Sequence, residues 1–160
     1  MFTKKTEQDF FFSFLKNDKI VLEYGSGEST LEISSKVKHL TSLEHQEEWY
    51  NYLINKIPKN VNLILKKPNL PHTKGCGNYD QFKDYIEEPG KINMTFDIVL
   101  IDGRARIECA RFIKKVCDDK TLIFVHDFTS RMDEHNYKEI LNYLELIQSV
   151  DDMSLFKLKK

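Results

Sequence analysis

The sequence predicts one α/β domain over residues 1–160: a three-layer sandwich on a mostly parallel seven-stranded sheet that ends in an antiparallel hairpin. Three observations predict it. Short apolar segments alternate with helix-patterned segments through almost the whole chain, the signature of a parallel sheet covered on both faces. A glycine turn, Gly25-Ser26-Gly27, directly follows the first strand segment. The C-terminal stretches Glu145 to Val150 and Met153 to Leu158 alternate in polarity around Asp151-Asp152, so the last strand is expected to run against its neighbours.

Each element follows from local pattern. Thr6-Glu7-Gln8-Asp9 resembles a capping box and opens a helix in which Phe10 pairs with Phe14 and Phe11 with Leu15. Lys19 to Tyr24 is a short buried strand. Ser29 or Thr30 is expected to cap the next helix, Leu31 to Val37. His39 to Glu44 is the second strand. Gln46 to Ile57 reads as a helix with Trp49, Leu53 and Ile57 on one face, closed by Pro58. Val61 to Leu65 is the third strand. A polar loop from Lys66 to Asn78 leads to a short helix, Tyr79 to Glu87, stopped by Pro89-Gly90. Phe96 to Ile101 is the fourth strand. Arg104 to Cys117 is a helix with Ala105, Cys109, Phe112, Ile113 and Val116 toward the sheet. Lys120 to Val125 is the fifth strand, and Asp133 to Leu144 reads as a helix before the hairpin.

Composition narrows the class. A hydrophobic fraction of 41%, with 11 Phe and 7 Tyr, supports a packed core and argues against disorder. Net charge is −1, so no global basic field draws the chain to nucleic acid or an anionic membrane. Cys76, Cys109 and Cys117 form no CxxC pair and read as free thiols of a reducing compartment. His72 and Cys76 lack partners at zinc-ligand spacing. Residues 1–14 lack the apolar core of a signal peptide, and no run is long enough to span a bilayer. A cytoplasmic protein is the expectation.

In open α/β sheets ligands bind beyond the carboxyl ends of the strands, where the strand order reverses. The residues after each strand therefore carry the weight. Glu23 precedes Gly25 and Gly27; the glycines permit close approach of the backbone, and Glu23 can accept a hydrogen bond from a ligand ammonium. A dinucleotide site would favour a third glycine where Thr30 stands. Glu44, at the end of the second strand, suits the two hydroxyls of a ribose. Asp102, His126 and Asp127 follow the fourth and fifth strands and are the candidate bases toward an acceptor hydroxyl. Asp102 and Asp127 are also oxygen ligands of the kind Mg²⁺ takes. Arg104 and Arg106 are the candidate residues for holding an anionic acceptor.

Taken in order, Glu23 to Thr30 (EYGSGEST), Ser42 to Tyr50 (SLEHQEEWY), Phe96 to Arg106 (FDIVLIDGRAR) and His126-Asp127-Phe128 resemble the motifs of class I S-adenosylmethionine (SAM)-dependent methyltransferases. The closing segment LIQSVDDMSLFKLKK resembles the terminal hairpin of a small group with a YGSGxST first motif. The resemblance implies a Rossmann-like fold. It implies a SAM site made by Glu23, Gly25, Ser26, Gly27, Ser29, Thr30, Glu44, His45 and Asp102. By the same resemblance Asp102 and Asp127 match positions where some small O-methyltransferases hold a metal; no third ligand is evident in the sequence.

The expected activity is methylation of a small hydroxylated acceptor such as a sugar, a glycan modification. There is no Asn/Asp-Pro-Pro-aromatic tetrad after the fourth strand, as amide and exocyclic-amine methyltransferases use, and no large basic surface for nucleic acid. Acceptor selection then falls to the N-terminal helix, to the loop Pro71 to Asp80, or to a partner in a homo-oligomer or larger enzyme assembly. Two rival readings stand beside it. One is an NAD- or nucleotide-sugar-binding oxidoreductase, which Glu44 would suit and Glu23 would not. The other is a non-catalytic SAM-binding subunit.

Overall fold

The structure, a computed structural model, describes residues 4–72 and 75–159. Thr73 and Lys74 of the expected Pro71 to Asp80 loop, and residues 1–3 of the N-terminal segment, lie outside the described residues.

The order is α1 (Lys5–Phe12), β1 (Ile20–Tyr24), α2 (Glu28–Ser34), β2 (His39–Glu44), α3 (Glu47–Leu53), β3 (Val61–Leu65), α4 (Tyr79–Glu87), β4 (Ile98–Ile101), α5 (Arg106–Phe112), β5 (Leu122–Val125), β6 (Leu144–Val150) and β7 (Met153–Leu158). Among the described residues the strands form one seven-stranded sheet in the order β3-β2-β1-β4-β5-β7-β6. β1 to β5 pair in parallel; β7 runs antiparallel to both β5 and β6. The fold is therefore the expected three-layer sandwich with a reversed terminal strand.

Strand periodicity builds the two cores. Val21, Leu40, Ile98, Leu100 and Phe124 point to one face, where they meet Phe11, Ile33 and Leu53 of α1, α2 and α3. Leu22, Tyr24, Leu43, Val99, Ile101, Ile123 and Val125 point to the other, against Phe82 and Tyr85 of α4 and Cys109 of α5. Successive strand residues face opposite sides, so a central strand buried on both faces is apolar along most of its length, with a buried polar group such as Glu23 held by hydrogen bonds. Phe11 meets the edge of Phe124 with ring centroids 4.9 Å apart, which fixes α1 over β5.

Several boundaries differ from the sequence pattern. α1 starts at Lys5, and its first-turn acceptor is Glu7, which takes the Lys4 N–H at 3.3 Å; Thr6 lies inside the helix and bonds Asp151. α2 starts at Glu28 with Gly27 as its N-cap, so Ser29 and Thr30 sit in the first turn rather than at the cap. α3 ends at Leu53, and Trp49 is 42% exposed instead of facing the sheet. α5 starts at Arg106, because Ala105 takes a left-handed φ of 50°. The expected helix Asp133 to Leu144 is a series of turns followed by a 3-10 helix over Tyr137–Asn142. Among the described residues no helix is long and apolar enough to cross a membrane.

Candidate functional site

The strand order reverses between β1 and β4, so their loops diverge at that point and leave a crevice. Two glycines make the junction. Gly25 has φ +96°, and a Cβ there would lie 2.6 Å from Gly103 Cα. A Cβ on Gly103 would lie 2.0 Å from the Tyr85 hydroxyl. The Gly25 N–H donates to the Leu43 carbonyl at 2.9 Å, and the Asp102 N–H to the Tyr24 carbonyl at 2.9 Å. The backbone leaving β1 is thus clamped to both neighbouring strands.

Glu23 braces this turn from below. It is fully buried, and its carboxylate accepts hydrogen bonds from Ser42 (2.6 Å), Thr30 (2.7 Å) and Ser29 (3.2 Å). Thr30 Oγ1 also accepts the Gly27 N–H at 2.9 Å. Burial pushes the Glu23 carboxyl up to about 7, against the lowering effect of these hydroxyls. Glu23 and Thr30 do not line the crevice. The Glu23 oxygens, expected to meet a ligand ammonium, here accept from side chains of α2 and β2.

The crevice is a cleft of about 290 Å³. Gly25, Ser26, Gly27 and Ser29 line one side, and Glu44, His45, Gln46 and Trp49 the second. Asp102, Gly103, Arg104, Arg106 and Arg131 close the third. A Cβ on Gly27 would meet only Ser29 Oγ, at 3.9 Å, so the backbone there faces open space. Glu44 Oε1 accepts the N–H groups of His45 (2.8 Å) and Gln46 (2.6 Å). These bonds fix the carboxylate and leave Oε2 without a partner among the described residues. His45 Nδ1 is buried and unpartnered; it lies 3.1 Å from Glu44 Oε1 but out of line for a hydrogen bond. A ligand carrying both donors and acceptors fits that wall.

Behind the cleft lies a charged cluster. Arg106 is 7% exposed, and its guanidinium contacts Asp102 Oδ1 (3.2 Å) and Asp127 Oδ2 (3.0 Å). It also donates to the carbonyls of Gly103 and His126. His126 is 3% exposed, with Nδ1 3.0 Å from Asp102 Oδ1 and Nε2 3.4 Å from Glu7 Oε2. Burial alone would lower the His126 pKa, but the hydrogen bond and charge of Asp102 raise it overall. Burial likewise opposes ionisation of Asp102, yet His126 and Arg106 hold its carboxyl below the usual range. Glu7 further accepts the Asp152 N–H at 3.1 Å, so His126 ties α1 and the β6–β7 turn to the strand tips.

Three of the expected residues are held mainly by one another. His126 is not placed as a base toward an acceptor, because each ring nitrogen faces a carboxylate and the ring does not line the cleft. Arg106 is an internal tie between two loops, although its edge reaches the cleft wall. Asp127, with φ +56°, is held by Arg106 and by Arg131, whose Nη2 lies 3.0 Å from the same oxygen. Ligand atoms of Asp102, His126 and Asp127 do lie within 4.8 Å of one another. A divalent cation does not fit between them, because the Arg106 guanidinium already contacts both carboxylates.

Asp102, Gly25, Ser26, Gly27, Ser29, Glu44, His45 and Arg104 are brought together as expected. The sequence reading missed Gln46, Trp49 and Arg131 in the wall and Glu7 behind it. The spacing of Arg131 four residues after Asp127 was the available signal for that ion pair.

The fold is that of class I SAM-dependent methyltransferases. A methyltransferase-like protein from Silicibacter pomeroyi superposes with a TM-score of 0.74 at 20% identity, covering 99% of this chain and 88% of the other. A TehB-like SAM-dependent methyltransferase from Corynebacterium glutamicum gives 0.65 at 13% identity, over 96% and 88%. A Streptococcus mutans protein described as a methyltransferase, in complex with S-adenosylhomocysteine (SAH), gives 0.61 at 15% identity, over 99% and 100%. No protein-family model and no curated protein matches the sequence.

Proposed function

We propose that the protein binds SAM in the β1–β4 cleft and transfers its methyl group to an oxygen of a small hydroxylated acceptor. The observation that carries the reading is the convergence of three strand-tip loops on one cleft: the glycine turn after β1, the anchored Glu44 after β2 and Asp102 after β4. SAM, when bound, supplies a methyl group already activated on a sulfonium.

The residues divide the work. Gly25, Ser26 and Gly27 offer backbone and a hydroxyl to the methionine part, with no side chain in the way. Glu44 Oε2 accepts the ribose hydroxyls, and its other oxygen keeps it oriented. Trp49 presents an exposed ring at the cleft edge, suited to cover the adenine. Asp102 is the ionised carboxylate on the β4 side of the cleft, and it accepts the acceptor hydroxyl and aligns it. Its lowered pKa makes it an orienting group more than a strong base.

Nicotinamide dinucleotides fit less well. At the third glycine position of a pyrophosphate loop stands Thr30, buried and bonded to Glu23. The reading is tested by incubating the protein with SAM and a panel of hydroxylated small molecules and following SAH release. Fluorescence quenching with NADH is the control. Acceptor-dependent SAH release supports the assignment; NADH binding without SAM binding contradicts it.

A further inference from the structure

A second cavity, of about 440 Å³, opens beside the cleft and shares Arg104 and Arg131 with it. Gly75, Cys76, Ser130 and His135 complete most of its wall. We infer that this cavity is the acceptor site and that Arg104 and Arg131 bind an anionic group, a carboxylate or a phosphate, on the acceptor. The inference rests on the proposed SAM cleft, because it takes the neighbouring cavity as the place from which the methyl group is approached.

Charge pairing points to it. Asp127 is shared by Arg106 and Arg131, and Asp102 by Arg106 and His126. Arg104 has no carboxylate within ion-pair distance among the described residues. Its Nη1 donates to the Gly75 carbonyl at 3.0 Å, which holds the guanidinium between the β4 loop and the loop before α4. The remaining N–H groups of Arg104 have no protein acceptor among the described residues. Arg131 borders the same opening, 36% exposed at its side chain; its five-donor fork meets Asp127 and the Tyr137 side chain and keeps donors to spare. Two guanidiniums with spare donors on one concave wall form a fork matched to a planar carboxylate or a phosphate. Glu134 also borders the cavity, but its side chain is 79% exposed, so solvent screens it. The acceptor class is therefore a hydroxylated molecule bearing a carboxylate or phosphate, such as a hydroxy acid or a phosphorylated alcohol.

The test uses the full chain with ¹⁵N-labelled arginine side chains, with and without saturating SAH. Phenyl phosphate, benzoate and neutral benzyl alcohol are titrated to millimolar concentration. The inference expects the Nε–H signals of Arg104 and Arg131 to shift with one or both anions and not with the alcohol. Arg111, paired to Glu108 and Glu139 elsewhere, should stay still. Which anion binds more tightly decides between carboxylate and phosphate. Arg104→Gln, which removes no ion pair, should weaken the anion by about tenfold or more. Arg131→Lys should weaken it while keeping the tie to Asp127. Equal shifts at Arg111, binding of the neutral alcohol, or no shift at Arg104 and Arg131 would overturn the inference. SAH binding without anion binding removes this site and leaves the cleft assignment standing. Anion binding without SAH binding removes the cleft assignment, and the acceptor role with it.

Discussion

Gly25 and Gly103 touch across the fold's switch point, with the position of a Gly25 Cβ only 2.6 Å from Gly103 Cα. The contact brings the β1 and β4 loops together at the base of the cleft. Gly27, two residues on, has a φ of −169° that any residue adopts, and it faces open space. The two glycines should therefore respond differently to substitution. Gly25→Ala adds both positive-φ strain and a backbone clash, and it should cost at least about 2 kcal/mol in urea unfolding. Gly27→Leu should leave the unfolding midpoint nearly unchanged yet weaken SAH by tenfold or more, on the order of 1.4 kcal/mol. Equal destabilisation by both changes would contradict this division.

Glu44→Gln keeps an oxygen for the His45 and Gln46 N–H groups but loses the charge offered to the ribose. The fold should persist by circular dichroism. SAH affinity should fall by about tenfold or more, the effect of removing a hydrogen bond to a charged group. Unchanged affinity would remove Glu44 from the site.

Arg106 occupies the place where a cation would bridge Asp102 and Asp127. SAM binding and turnover should therefore be indifferent to EDTA and to added Mg²⁺. Arg106→Ala leaves the largely buried Asp102 and the half-buried Asp127 carboxylates facing each other and should destabilise by roughly 3 kcal/mol. Added Mn²⁺ or Mg²⁺ should partly restore its thermal midpoint and leave the unsubstituted protein unaffected. A metal requirement in the unsubstituted protein would contradict the account.

Glu23 and His126 set a pH dependence of the same sign. The folded pKa of Glu23, about 7, lies above its ordinary value of 4.5. Its contribution is complete below pH 4.5 and is lost as pH rises through 7, by roughly 3 kcal/mol. The His126 pKa is also raised, so its contribution is complete below 6.5 and is lost as pH rises through the folded value. Stability should therefore decline from the mildly acidic range into the alkaline. Glu23→Gln should flatten that decline between pH 5 and 8, read as urea midpoints. A steeper decline in the variant would contradict the assignment.

The sheet was legible because its strands are short apolar runs closed by turn residues, such as Ile98 to Ile101 before Asp102-Gly103. The cleft-facing tips were legible because an α/β sheet places them by chain order alone. The segment Asp133 to Leu144 was not. Its buried residues Tyr137 and Ile140 are three apart, a spacing that a 3-10 turn satisfies as well as an α-helix does. Asn136, at φ 58°, breaks the pattern just before them. Trp49 fitted the apolar face of α3 by periodicity, yet the helix is rolled so that Leu53 alone is buried and Trp49 meets the cleft. The roles of His126 and Glu7 depend on a contact across 119 positions, and no local pattern encodes it. Likewise Arg106 shares helical spacing with Asp102, but its hold on Asp127 appears only once β4 and β5 lie side by side.

The most direct test of the account is a calorimetric titration of the folded protein with SAH, repeated with Gly27→Leu and Glu44→Gln. One site per chain is expected, weakened in both variants and unaffected by EDTA. No heat of binding to the folded protein, or binding that both variants leave intact, would contradict it.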